Sequence, residues 1–129
     1  MSFKALNKTY ILLVDDEALL RDTMRTHLEI EGVIVEEASN GQQAFDLIQE
    51  KDFDIILSDI RMPECSGVEL LKLIRNSSEK TPPVVLMSAF TDISAQKAKD
   101  LGAIGMFLKP DNINYLKELL VEALGEGPN

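Results

Sequence analysis

An α/β fold built around a parallel sheet is predicted by two features of the sequence. Five short apolar runs alternate with five segments of helical periodicity. The runs are mostly continuous rather than alternating apolar and polar, as expected of strands covered on both faces. Strands and helices in that alternation connect through right-handed βαβ units, which puts helices on both sides of the sheet.

The first run is Tyr10 to Val14, YILLV, and it stops at Asp15 and Asp16. From Glu17 the spacing turns helical, with Leu20, Met24 and Leu28 on one face and Gly32 as the C-terminal stop. His27, the only histidine, sits beside that face with no second ligand type near it in sequence and reads as a boundary residue. Val33 to Val35 forms a short second strand, and Asn40-Gly41 opens a helix through Ala44, Phe45 and Ile48. The third strand carries Ile55, Ile56 and Leu57 and ends in Ser58 and Asp59, beyond which Met62-Pro63 prevents a simple continuation. A loop from Glu64 to Gly67 leads to a helix with Val68, Leu71 and Ile74.

Pro82-Pro83 gives a rigid entry into the fourth strand, Val84 to Met87, which ends at Ser88. Asp92 is placed to cap a weaker helix reaching Leu101, whose only large apolar residues are Ile93 and Leu101. Gly102 closes it, Ile104 to Leu108 is the fifth strand, and Lys109-Pro110 ends that strand. Asn112 caps a final amphipathic helix with Ile113, Leu116, Leu119, Leu120 and Ala123.

With 129 residues, 45% of them hydrophobic, the chain is expected to be one domain with a real core, covering 9–124, and 125–129 reads as a tail or the start of a linker. The N-terminus lacks the apolar segment of a signal peptide and no stretch is long enough to span a bilayer, so a cytoplasmic protein is expected. Cys65 is the only cysteine, which rules out a disulfide within the chain and a zinc site of clustered thiolates. The net charge of −9 repels phosphate backbones and anionic lipid, so neither nucleic-acid nor membrane binding by this domain is expected; a basic surface or a cation is the better match.

The ligand site of such a sheet lies beyond the carboxyl ends of its strands, where strand order reverses. Those ends carry Asp15 and Asp16 from the first strand, Asp59 from the third, Ser88 from the fourth and Lys109 from the fifth. Singly, each has a plain explanation as a turn former, a cap or a surface charge. Together they bring acids, a hydroxyl and an ammonium to one edge. Three converging carboxylates repel one another, so a proton or a cation must join them. Mg2+ suits an all-oxygen set of one or two carboxylates completed by water and phosphate. A phosphoryl group on or near Asp59 would meet the metal on one side and Lys109 on the other, which is most of what phosphoryl transfer requires.

In order along the chain, VDDE, SDIRMP, Ser88-Ala89, Gly102-Ala103 and Lys109-Pro110 resemble the motifs of the receiver domain of two-component response regulators, over essentially all of 10–124. The resemblance implies a flavodoxin-like (βα)5 doubly wound parallel sheet with strand order 2-1-3-4-5. It implies that Asp59 accepts a phosphoryl group from a histidine kinase or phosphotransfer protein. Asp16, with Asp15 acting through water, and the backbone carbonyl of Arg61 would complete the Mg2+ site. It further implies that Lys109 pairs with the phosphate, that Ser88 moves to it, and that the Lys109-Pro110 bond is cis. The outcome would be a shift in the surface made by the fourth helix, fifth strand and fifth helix, read by a downstream effector protein or domain.

One position departs from the family pattern. Three residues before the lysine the family has Tyr or Phe as a switch, and here it is Met106, which is flexible and has no hydroxyl. Phe107 next to it should face the opposite side as core, and Phe90 is available as a substitute aromatic. The resemblance also implies that Arg61 and Phe90 flank the path of water to an acyl phosphate, where a long Arg and a bulky Phe would slow its hydrolysis. Two other classes remain open: an interaction module that keeps the fold but acts largely independently of phosphorylation, and an aspartyl phosphatase. The phosphatase lacks its Asp-x-Asp motif, since Arg61 stands at the second acidic place.

Overall fold

The computed structural model describes residues 3–77, 82–88, 94–108 and 113–125. The strands are β1 (Tyr10–Val14), β2 (Ile34–Ala38), β3 (Ile55–Asp59), β4 (Val84–Ser88) and β5 (Gly105–Leu108). The helices are α1 (Ala18–Ile30), α2 (Gly41–Glu50), α3 (Gly67–Ser77), α4 (Ala95–Asp100) and α5 (Ile113–Gly125). All pairings are parallel, as the alternation of strands and helices predicts, and the order is β2-β1-β3-β4-β5, as the family resemblance implies. The chain leaves β1 for β2 on one side and then crosses to β3 on the other, so strand order reverses between β1 and β3.

Because strand side chains alternate, each central strand feeds two cores. Leu12, Val14, Ile56 and Leu86 pack with Ala44 and Ile48 of α2, Leu70, Leu71 and Ile74 of α3 and Ala98 of α4. Ile11, Leu13, Ile55, Leu57, Val85, Met87 and Phe107 pack with Leu28 of α1 and Leu116, Leu119, Leu120 and Ala123 of α5. Every residue of β3 and β4 is buried, which explains their unbroken apolar reading. Each large side chain buried here contributes about 1.5–3 kcal/mol.

Helix ends follow local chemistry. Asn40 caps α2 by accepting the Gln43 amide at 2.8 Å. Ser66 and Glu69 form a reciprocal capping box at α3, with the Glu69 amide donating to Ser66 Oγ at 3.1 Å and the Ser66 amide donating to Glu69 Oε1 at 3.2 Å. Gly32 stops α1 at a φ of 84°, where a side chain would be strained.

Several elements differ from expectation. β2 runs on through Glu36 and Glu37, beyond the predicted Val35. It is an edge strand, and cations satisfy its acids: Lys51 Nζ contacts Glu36 at 2.9 Å, while Arg21 and Arg25 contact Glu37 at 3.0 and 2.7 Å. The α1 stripe reaches the core only at its C-terminal half. Leu28 is buried and Met24 half-buried, whereas Leu20 is 39% exposed. At α4 the cap is Ser94, whose Oγ accepts the Lys97 amide at 3.0 Å; Asp92 and Ile93 lie outside the described residues, as does Asn112. Ala98 is the only buried residue α4 contributes, consistent with its weak sequence signal.

Glu36 also accepts a hydrogen bond from the Tyr10 hydroxyl, and this bond, followed by Lys51, holds its carboxyl below its ordinary value of 4.5. A carboxylate with a depressed folded pKa contributes stability above its unfolded value, and that contribution is lost as pH falls through the folded value. Glu36→Gln should therefore flatten the loss of stability below about pH 4.5, read as urea midpoints across an acid series. An unchanged acid limb would remove Glu36 from the account. Among the described residues no helix is long and apolar enough to cross a membrane.

Candidate functional site

At the end of β1 the chain turns sharply. Asp15 is 2% exposed, and its amide donates to the Ala38 carbonyl of β2 at 3.1 Å. Its Oδ1 accepts the Glu17 amide at 2.9 Å, closing an Asx turn that launches α1. Carboxylate oxygens of Asp15, Asp16 and Glu17 all lie within 4.8 Å of one another. Asp15 and Asp16 were expected at this edge; Glu17 was read only as the start of a helix. The signal available for it was the third consecutive acid in the sequence.

Asp59 ends β3 and is 6% exposed. Val14 pairs with Ser58, so Asp15 and Asp59 stand level on neighbouring strands. On the other side Asp59 pairs with Met87, which leaves Ser88, 1% exposed, one position further along β4. The Asp59 Oδ1 accepts the Ile60 amide at 2.9 Å. Asp59 is not a member of the close acidic trio; it approaches that trio by strand register.

The loop after β3 is tightly built. The Ile60 amide donates to Met87 O at 2.8 Å and the Gly67 amide donates to Ile60 O at 2.9 Å, so the loop returns onto the strand it left. A Cβ at Gly67 would lie 2.2 Å from the Asp59 carbonyl oxygen, so only glycine permits this approach. Exposed Arg61 stands with Asp16, Ile60, Met62, Pro63 and Ser66 around an open hollow of about 510 Å³ beside the acids. Burial pushes the Cys65 thiol up, with the Glu69 carboxylate adding to the effect. Alkylation of folded protein near pH 7.5 should therefore be slower than that of an exposed cysteine, by about tenfold or more, and recover in urea; equal rates in both states would refute the burial argument.

Met106 is half-buried against the α2–α3–α4 core, and Phe107, 2% exposed, faces the α1–α5 core, the opposition expected of neighbouring strand residues. Lys109, Pro110 and Phe90 lie outside the described residues, and with them the expected cis bond and the substitute aromatic. The donor set fits a hard divalent cation: three closely spaced carboxylates offer only oxygen and repel one another without a cation. A buried carboxylate level with that trio and a buried hydroxyl one position beyond it suit acceptance of a phosphoryl group.

Comparison with known proteins bears on this arrangement. The family model for the response regulator receiver domain matches residues 11–121. Regulatory protein AtoC of Escherichia coli K12 is 36% identical over 115 residues, covering 88% of this chain and 25% of that protein. Sporulation initiation phosphotransferase F of Bacillus subtilis 168 is 31% identical over 115 residues, covering 88% of this chain and 92% of that one. Among solved structures, the response regulator TrrA of Thermotoga maritima, in complex with Mg2+ and BeF, has a TM-score of 0.82 at 29% identity over 90% of this chain and 99% of that one. The chain spans about a quarter to a third of the length of the first curated relatives it matches.

Proposed function

The chain belongs to the response regulator receiver family, phosphoacceptor domains of two-component signalling, and from that membership we propose that Asp59 is its phosphoacceptor. The observation that supports this best is the burial of Asp59 at the end of β3, level with Asp15 and beside an acidic turn suited to a divalent cation.

In the reaction an Asp59 carboxylate oxygen attacks the phosphorus of a phosphohistidine on a histidine kinase or phosphotransfer protein. The P–N bond breaks, an acyl phosphate forms, and the departing imidazole takes up a proton. Asp15, Asp16, Asp59 and the Arg61 carbonyl would hold Mg2+, which would supply charge neutralisation for the transferring group. Lys109 pairs with a phosphoryl oxygen, and the Ser88 hydroxyl donates to another. By orienting these groups the chain assists both its own phosphorylation and its dephosphorylation. The Mg2+ of the TrrA complex supports the cofactor, and the phosphotransferase among the relatives supports phosphoryl exchange with partner proteins. Engagement of Ser88 biases the α4–β5–α5 surface towards a downstream effector protein or domain. The setting is the cytoplasm, where the free Cys65 thiol stays reduced.

The test is intact mass after incubation with a small phosphodonor, with and without Mg2+, on the native chain and on Asp59→Ala. One added phosphoryl group that requires Mg2+ and vanishes in the variant is the expected result. Absence of any adduct under trapping conditions would overturn the proposal. A receiver-fold interaction module acting independently of phosphate would then be favoured, for which the half-buried Met106 at the switch position is the supporting observation.

A further inference from the structure

We propose that Arg21 is a positioning residue for the metal-binding turn, acting as a bracket between that turn and β2; this rests on the reading of Asp15 and Asp16 as the metal site. Arg21 lies one helical turn beyond Glu17, and its amide donates to the Glu17 carbonyl at 3.0 Å. Its side chain is only 18% exposed. One arm of the guanidinium, Nη1, donates to the backbone carbonyl of Asp15 at 2.6 Å. The Nε arm donates to Glu37 Oε1 on β2 at 3.0 Å. Glu37 is held in turn by Arg25, whose Nη1 donates to Oε2 at 2.7 Å, and Arg25 Nε reaches Glu29 at 3.2 Å.

The consequence follows from the planarity of the peptide. The Asp15 carbonyl oxygen lies in the same rigid plane as the Asp16 amide, so fixing that oxygen fixes the direction in which Asp16 leaves the turn. The Asp15 amide is already tied to Ala38 of β2. Arg21 ties the other side of the residue to the same strand through Glu37. Both peptide groups of Asp15 therefore take their orientation from β2, and the carboxylates of Asp15 and Asp16 are presented as a pair instead of splaying under their mutual repulsion.

Charge alone predicts the opposite of positioning. A guanidinium next to an acidic turn opposes cation binding, so deleting it should tighten Mg2+ if Arg21 acts only through its charge. If Arg21 positions the turn, deleting it should weaken Mg2+. Lysine separates the two further: it keeps the charge and length but offers a point ammonium in place of a fork that reaches two acceptors at once.

The experiment is a titration of metal-free protein with Mn2+, following the free-ion EPR signal, with Mg2+ competition, on the native chain and on Arg21→Gln, Arg21→Lys and Asp16→Asn. Thermal melts of each variant report folding separately. The native chain should bind, Asp16→Asn should lose most of that binding, and both Arg21 variants should bind about tenfold more weakly, the lower end of the range for residues that orient metal ligands. Equal or tighter binding in Arg21→Gln, or native affinity in Arg21→Lys, would overturn the bracket while leaving the metal site standing. If Arg21→Gln does not fold, Arg21→Lys decides. No binding by the native chain would instead overturn the metal reading on which the bracket rests.

Discussion

Gly67→Ala should lower stability by about 3 kcal/mol, the upper end for overpacking a close contact, and slow phosphoryl acceptance at Asp59. The added Cβ would stand 2.2 Å from the Asp59 carbonyl oxygen, 3.0 Å from its carbonyl carbon and 3.1 Å from Ile60 Cα. All three are backbone atoms, so no side-chain rotation relieves the clash. Nor is the backbone free to retreat: the Ile60 amide is bonded to Met87 O, and the Gly67 amide to Ile60 O. What gives way must be the end of β3 or the start of α3, and either displaces the carboxylate proposed to be the nucleophile. Urea unfolding measures the stability loss, and the phosphorylation rate with a small donor measures the displacement. Gly125→Ala is the control, since a Cβ there meets nothing within 4 Å. A Gly67→Ala protein as stable as the control would show that the loop accommodates the methyl group without cost.

Lys117→Ala should destabilise by about 2–3 kcal/mol, somewhat below the range for breaking a fully buried pair. The Lys117 ammonium lies 2.6 Å from Glu31 Oε2, with side-chain exposures of 7% and 22%. It also sits 5.6 Å from the centre of the Phe3 ring, a cation–π contact worth about 0.5–1 kcal/mol. One side chain of α5 thus fastens the end of α1 and the N-terminal segment together. Truncation leaves a shielded carboxylate without its cation and removes the apolar stem as well. Lys117→Met, paired with Glu31→Gln, keeps the stem and removes both charges, so most of the loss should be recovered. A double-mutant cycle reports the coupling directly; a coupling near zero would reduce the pair to a surface contact.

How much of this was visible beforehand depends on where a residue's energy comes from. β1, β3 and β4 were legible to within a residue because central parallel strands are buried on both faces and read as continuous apolar runs. β2 was cut short because Glu36 and Glu37 look like the end of a strand; their place in the sheet depends on Lys51, Arg21 and Arg25, distant in sequence. Leu20 was assigned inward by period alone, although only the later turns of α1 meet the core. At the candidate site, the strand-end positions of Asp15, Asp16, Asp59 and Ser88 were legible because each follows or closes an apolar run, and this topology puts its ligand site at those ends. Arg21 was not, since its partner is a backbone carbonyl, which has no letter in a sequence.

The two outer strands of the sheet have a consequence for behaviour at high concentration. An open strand edge invites pairing with a second chain, a route to uncontrolled aggregation. Here β5 offers four residues among those described. β2 sets Glu36 and Glu37 along its length, with Lys51, Arg21 and Arg25 gathered around them. An incoming strand would have to displace those ion pairs and bury their charges. The pairs that let acidic residues remain in β2 also blunt it as a template for a second chain.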